Sequence, residues 1–188
     1  MRRAMVAPGR SLLSGEIEVD ETFIGGVKPG VRGRGAVGKS LVLIAAEMRG
    51  SSIGRIRLQV IPNATAVTLL DAVAELAEPG SDIVTDGWSS YAGLPKCGFN
   101  HTVSRATPVL GSNLLPHVHR IASLLKRWLL GTHQGAVSHD LLQHYLDEFV
   151  FRFNRRTAGS RGLLFRRLLE QMVAYGPVTK RELSKPPP

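Results

Sequence analysis

The first regular pattern in the chain starts at residue 16, where apolar and polar positions alternate with the period of a β-strand. Over residues 16–24 the apolar side chains share one face and the polar ones share the other: Ile17, Val19 and Phe23 against Glu18, Asp20 and Thr22. Residues 40–47 form an apolar run, and over residues 54–61 Arg55 and Arg57 alternate with apolar side chains. These three segments together predict an antiparallel meander.

Helical spacing begins after the third predicted strand. Residues 64–76 are expected to form a helix that Asn63 caps and Pro79-Gly80 stops. Its apolar positions lie three residues apart: Val67, Leu70, Val73 and Leu76. Short strands are predicted over 81–85 and 101–104, and helices over 117–130, from a cap at Ser138 to Phe153, and over 163–174. On the helix over 117–130 the expected inward positions are Val118, Ile121, Leu124 and Leu125.

This order of elements predicts a mixed α/β sheet with antiparallel and parallel strands and flanking helices. A chain of 188 residues is long enough for one well-buried domain and short for two. We expect a linker over residues 1–14, the domain over 15–176 and a flexible tail over 177–188.

Charge narrows the range of partners. The net charge is +9, and nine lysines and arginines lie between Arg120 and Arg167 against three acids. This excess of basic residues favours nucleic acid over a membrane surface as the binding partner. A basic face that only contacts solvent would show the same excess. No apolar run is long enough for a membrane span, and a single cysteine, Cys97, excludes an internal disulfide. A cytoplasmic location is expected.

One nucleotide-binding pattern is present but lies in the wrong context. Residues 33–40 (GRGAVGKS) match G-x-x-x-x-G-K-S. A phosphate loop follows a strand and opens a helix, whereas these residues follow a glycine-rich segment and precede a predicted strand. We therefore expect a basic loop that faces nucleic acid and no nucleotide cofactor. A phosphate-loop nucleotide-binding protein remains the lesser alternative.

Two acids stand out by their position in predicted strands. Asp20 lies in the middle of the first strand, and Asp86 ends the short strand over 81–85. A carboxylate inside a strand is costly unless it is paired or binds a cation. Phosphodiester chemistry with two divalent metals needs carboxylates that converge from different elements. A solvated sheet face for Asp20, and a turn or cap for Asp86, are the open alternatives.

Four blocks of sequence, in order, resemble a known family. They are GEIEVDETFIGG (15–26), DGWSSY (86–91), SLLKRWLLGTH (123–133) and YLDEFVFRFNRR (145–156). Together they make residues from about 12 to about 157 similar to the zinc-ribbon-bearing (ISXO2-like) bacterial insertion-sequence transposases of the DDE type. Four ordered blocks are far more specific than any one of them.

This resemblance implies a ribonuclease-H-like fold, with Asp20 and Asp86 as catalytic metal ligands for two Mg²⁺ ions, which Mn²⁺ could replace. It implies cleavage of double-stranded DNA by water and joining of the DNA end to a target by a 3′-hydroxyl, carried out by a homodimer. The family usually carries an N-terminal zinc ribbon, and the residues before Gly15 could not form one. We therefore expect a truncated copy. A catalytically inactive DNA-binding remnant is the first alternative.

The third ligand departs from the family's pattern. The family commonly has a glutamate seven residues before a lysine or arginine on one helix, but here His119 stands seven residues before Lys126. A histidine can ligate a metal or act as a general base, so His119 is the predicted third catalytic and metal residue. Asn113 and Glu148 are the alternatives. The predicted DNA-binding residues are all basic: Lys126, Arg127, Arg152, Arg155 and Arg156.

Overall fold

The computed structural model describes residues 2–7, 9–25, 39–104, 114–134 and 137–175. The chain divides into two compact units. The sheet unit spans residues 12–137, and the helical unit combines residues 1–11 with residues 138–188. Four expectations lie outside the described residues, in whole or in large part: the glycine-rich loop, most of the G-x-x-x-x-G-K-S pattern, Asn113 and the C-terminal tail.

Within its described residues, the sheet unit contains five strands and two α-helices. They are β1 (Glu16–Ile24), β2 (Ser40–Arg49), β3 (Ser52–Ile61), α1 (Ala66–Leu76), β4 (Asp82–Thr85), β5 (Asn100–Val103) and α2 (Pro116–His133). Short 3₁₀ helices cover Ser89–Tyr91 and Leu94–Cys97. Because β2 begins at Ser40, a strand and not a helix follows the G-x-x-x-x-G-K-S pattern, as the sequence predicted.

The sheet has the order β3-β2-β1-β4-β5. Strands β1, β2 and β3 pair antiparallel, while β4 pairs parallel to β1 and β5 parallel to β4. The predicted meander and the predicted mixture of strand directions are both confirmed. Because Glu18 lies beside Val84 in the parallel pair, the residues that follow β4 emerge near the middle of β1.

Strand β2 is buried on both faces, which explains its unbroken apolar run. One face of β2 packs with α1 and the 3₁₀ helices in the main core. Ile17 and Val19 of β1 and Ile83 of β4 belong to the same core. On the opposite face α2 packs against β1 and β2. The predicted inward positions of α2 are confirmed for three residues, whereas Leu124 is only half-buried and Leu129 is buried.

The predicted inward face of α1 is partly wrong. Val67 is 70% exposed, and the buried positions are Leu69, Ala72, Val73 and Leu76. Residues three apart on a helix are offset by about 60°, so Val67 and Leu76, nine apart, point in opposite directions. The predicted cap is also displaced: Thr65 occupies the N-cap position, and the Asn63 Oδ1 accepts from the Thr65 backbone amide at 3.1 Å.

The helical unit contains α3 (Leu142–Asn154), α4 (Arg161–Tyr175) and 3₁₀ helices at Arg2–Met5 and His139–Leu141. Ser138 precedes the second of these short helices and does not cap α3, whose N-cap position is Leu141. The Arg2–Met5 turn, within the segment expected to be a linker, packs against α3 and α4. Among the described residues, none of the helices combines the length and apolar composition that a bilayer crossing needs.

Candidate active site

Asp20 lies on the central strand of the sheet unit and faces α2. Its Oδ1 accepts a hydrogen bond from the Glu21 backbone amide at 2.8 Å, and its Oδ2 lies 3.1 Å from the Nε2 of His119. Burial raises the pKa of Asp20, and the charge of Asp86 acts in the same direction, while the Glu21 amide and His119 oppose them. The carboxylate is therefore held where its charge is costly unless a cation accompanies it.

Asp86 follows β4 directly and is exposed. Its Oδ1 accepts from the Trp88 amide at 3.0 Å, so the turn that the sequence left open as an alternative is present. The next residue, Gly87, has φ +84°, and a Cβ there would lie 2.6 Å from the Val103 Cγ1. This tight turn keeps Asp86 within electrostatic reach of Asp20.

His119 and Lys126 lie along one side of α2, two helical turns apart. Both line a pocket of about 320 Å³ whose other walls come from β1, β2 and α2: Asp20, Glu21, Thr22, Ile44, Val118, Ala122 and Ser123. The lining residues thus include two acids, a histidine, a lysine and two hydroxyl-bearing residues, Thr22 and Ser123. Arg127, the next residue along α2, is exposed and does not line the pocket.

Sequence reasoning missed two acids that tie β1 to its neighbours. Glu18 is 3% exposed, and its carboxylate contacts the first turn of α2 at His117 and Val118. Glu21 accepts a hydrogen bond at 2.8 Å from the hydroxyl of Tyr91, a fully buried residue five positions after Asp86. Burial, followed by the charge of Glu21, raises the pKa of Tyr91 well above its usual range. The strand pattern placed Glu18 on the face of Asp20, which was the one available signal.

The donors around Asp20 suit a divalent cation in chemistry, although they are not arranged as a complete metal site. Carboxylate oxygens favour Mg²⁺ and Mn²⁺, and a neutral imidazole ligates several divalent metals. Within the described ranges, no three histidine, cysteine or acidic side chains lie close enough to hold a metal together. What the structure brings together is the Asp20–His119 pair, with Asp86 close enough to raise the pKa of Asp20.

Glu148, an alternative third ligand, is engaged elsewhere in the structure. Its Oε2 accepts from the Arg2 Nε at 2.8 Å, and its Oε1 accepts from Arg152 at 3.2 Å. Both oxygens therefore serve ion pairs within the helical unit, which compete with metal ligation. The other alternative, Asn113, lies outside the described residues.

The arginines at the end of α3 are held by aromatic rings. The guanidinium of Arg155 lies 4.0 Å from the centre of the Phe151 ring, and that of Arg156 lies 4.0 Å from the centre of the Phe153 ring. Burial lowers the pKa of Arg155, and the charge of Arg167 adds to the effect. Stacking of this kind limits the conformations of each arginine side chain, so less side-chain entropy is lost when the guanidinium binds a partner.

Two solved structures resemble the chain in fold. The catalytic core domain of BIV integrase matches with a TM-score of 0.49 and 15% identity, over 87% of this chain and 99% of that one. The intasome of simian T-cell lymphotropic virus, in complex with the PP2A regulatory subunit B56 gamma, matches with a TM-score of 0.53 and 18% identity, over 81% of this chain and 52% of that one. The fold is ribonuclease-H-like, as the resemblance implied.

Sequence comparison identifies the family. The model of the ISXO2-like transposase domain matches residues 12–154, about three quarters of the chain, and the chain belongs to this family. None of the curated proteins compared with it matches its sequence.

Proposed function

We propose that this chain is the catalytic core of a DNA transposase, which cleaves and joins double-stranded DNA with the help of divalent metal ions. One observation carries the proposal: Asp20, from the central strand, meets His119, from α2, in a pocket that also holds Lys126. Because the chain belongs to a transposase family, the reaction proposed for these three residues is the cleavage and joining of DNA.

In the proposed site, Asp20 and Asp86 would hold the metal through carboxylate oxygens, and His119 would hold it through Nε2. Mg²⁺ is the expected ion. When bound, the metal supplies charge stabilisation at the attacking and leaving oxygens of the phosphodiester. Asp20 would be the central ligand of this set, because it contacts His119 directly and is within electrostatic reach of Asp86.

The residues of the pocket would orient the DNA strand. Lys126 is exposed and supplies a positive charge two turns along α2 from His119, suited to a phosphate next to the reacting one. Thr22 and Ser123 line the same pocket, and their hydroxyls would donate hydrogen bonds to phosphate oxygens. The proposal includes a homodimer that acts on paired DNA ends. Membership of the family is its only support.

A catalytically inactive DNA-binding protein is the second candidate. The observation that favours it is that the described residues contain no ready group of three metal ligands. The histidine in place of the family's glutamate points in the same direction.

Strand transfer and metal binding, measured on the same proteins, separate the two candidates. Wild type would be assayed with Mn²⁺ on labelled duplexes that include pre-nicked ends, beside Asp20→Ala, Asp86→Ala and His119→Ala. Asp71→Asn is the matched control because Asp71 is an exposed acid on α1. We expect activity in wild type and the control, no activity in the three variants, and a metal-induced rise in the melting temperature that Asp20→Ala abolishes.

Each other outcome has a definite meaning. Activity that survives His119→Ala would remove His119 from the ligand set. A wild type that binds DNA, gains no stability from Mn²⁺ and joins no DNA would establish the inactive candidate.

A further inference from the structure

Glu18 is a buried carboxylate whose hydrogen bonds all reach one helix end. It lies on β1 between Ala46 of β2 and Val84 of β4. Its Oε2 accepts from the backbone amides of His117 and Val118 at 2.8 and 2.9 Å, and its Oε1 lies 2.6 Å from the Nδ1 of His117. A strand residue and a helix end about 100 positions further along the chain thus share three short contacts.

The first turn of α2 needs the Glu18 carboxylate because no side chain at its own N-cap position accepts a hydrogen bond from its amides. Leu115 occupies the N-cap position and offers no side-chain acceptor, and Pro116 has no amide hydrogen. The first free donors of the helix are the amides of His117 and Val118, and both point to Glu18. A carboxylate at this end is also favoured by the helix dipole.

The contact lies two residues from the candidate active site on both elements. Asp20 follows Glu18 by two residues, on the same face of β1, and His119 follows His117 by two residues on α2. A slip of α2 by one residue along β1 would move His119 by about 1.5 Å and turn it by about 100°. That displacement is large enough to break the 3.1 Å contact between Asp20 and His119.

We propose that Glu18 is a positioning residue that sets the register of α2 on β1 and so holds the Nε2 of His119 against Asp20. This role rests on the proposed function, because it matters for catalysis only if Asp20 and His119 act there. Glu18 is not itself a metal ligand: it is buried and its oxygens accept from α2. The apolar side chains of α2 keep the helix on the sheet without it, and they are Val118, Ile121, Leu125 and Leu129.

The test compares Glu18→Ala and Glu18→Gln with wild type. Glu16→Ala is the matched control, since Glu16 is an exposed acid on the same face of β1, two residues before Glu18. The first readout is the ¹⁵N resonance of the His119 Nε2 in metal-free protein, with Asp20→Ala as the reference for a lost contact. The second is the single-turnover rate of strand transfer, measured beside the Kd for DNA.

Glu18→Ala is expected to move the His119 resonance toward its position in Asp20→Ala. The same variant should slow strand transfer by about 10- to 100-fold and leave the Kd for DNA unchanged. Glu18→Gln keeps an acceptor oxygen for the two amides, so we expect it to retain the wild-type resonance and most of the rate. Should Glu18→Ala not fold, Glu18→Asp replaces it, because the shorter side chain keeps the charge but cannot reach all three donors.

A His119 resonance that is the same in wild type and in every Glu18 variant would overturn the positioning role. Because that readout needs no metal and no DNA, it stays decisive even if the wild type joins no DNA. An inactive wild type with a Glu18-dependent His119 resonance would contradict the proposed function and leave the positioning role standing.

Discussion

At the scale of one residue, Asp20 of the candidate site is held at the expense of stability. Burial and the nearby Asp86 raise its pKa, so ionisation of this carboxyl is harder in the folded chain than in the unfolded one. Such a group lowers stability progressively as the pH rises from its unfolded pKa to its folded pKa, because over that interval the unfolded state releases the proton more easily, and the loss is complete above the folded pKa. A bound divalent cation would offset the cost of ionising Asp20, so this cost is consistent with a metal-ligand role.

The first prediction follows from the direction of this shift. In metal-free protein Asp20→Asn should raise the melting temperature at pH 7 by up to about 4 °C, because it removes a partly buried charge. The gain should shrink as the pH falls through the raised pKa and vanish below the ordinary value of 3.8, where wild-type Asp20 is protonated in both states. Calorimetry in chelator from pH 3.5 to 8, with Asp71→Asn alongside, measures this. A gain that is the same at every pH would contradict it.

The second prediction concerns the turn that carries Asp86. Gly87 and Gly98 have nearly the same φ, +84° and +86°, but an added Cβ would meet Val103 only at Gly87 and open space at Gly98. Gly98→Ala should cost about 1 kcal/mol, from the left-handed backbone alone. Gly87→Ala should cost about 1–3 kcal/mol more, because Val103 must move. Urea unfolding measures both, and equal losses would show that Val103 yields freely.

At the scale of elements, the sequence was a good guide wherever a pattern is local. The alternation over residues 16–24 predicted β1 to the residue, and the apolar run of β2 and the helix ending before Pro79-Gly80 were also predicted. The faces of helices were harder, because a spacing of three residues drifts around the helix. The start of α2 was predicted to within one residue, since the structure begins the helix at Pro116 and the sequence predicted residue 117. The acceptor at that start could not be predicted, because Glu18 comes from a strand about 100 residues earlier.

The third prediction tests the face of α1 that the structure assigns. Val67 and Val73 lie on the same helix and differ in burial, 70% against 1% exposed. Val73→Ala should lower the free energy of unfolding by about 1.5–3 kcal/mol, because it leaves a cavity in the main core. Val67→Ala should change it by less than about 0.5 kcal/mol, since it removes only exposed surface. Both losses are measured by urea unfolding. Similar losses for the two variants would show that Val67 is buried as well, as the sequence predicted.

Across the whole molecule, charge and chemistry are divided between the two units. The helical unit holds twelve basic and five acidic residues, a net charge of +7, whereas the sheet unit holds twelve and ten, a net charge of +2. The acids of the candidate site lie in the nearly neutral unit. The sequence placed Asp20, His119 and Lys126 by pattern and resemblance, but it could not show that Asp20 and His119 touch, because that contact depends on how α2 packs.

The division of charge predicts that the helical unit supplies most of the affinity for DNA that does not depend on sequence. Each phosphate neutralised by a basic side chain adds about 0.9 to the slope of log K against log salt concentration. Arg155→Gln and Arg156→Gln should each lower that slope by about 1 and weaken binding equally for unrelated duplexes, because phosphate contacts carry no sequence information. Arg49→Gln is the matched control, since Arg49 is an exposed arginine of the sheet unit. Fluorescence anisotropy over a range of salt concentrations gives the slopes. If Arg49→Gln lowered the slope as much as the α3 variants do, the charge of the helical unit would have no special part in binding, and the DNA track would have to be sought on the sheet unit beside Lys126.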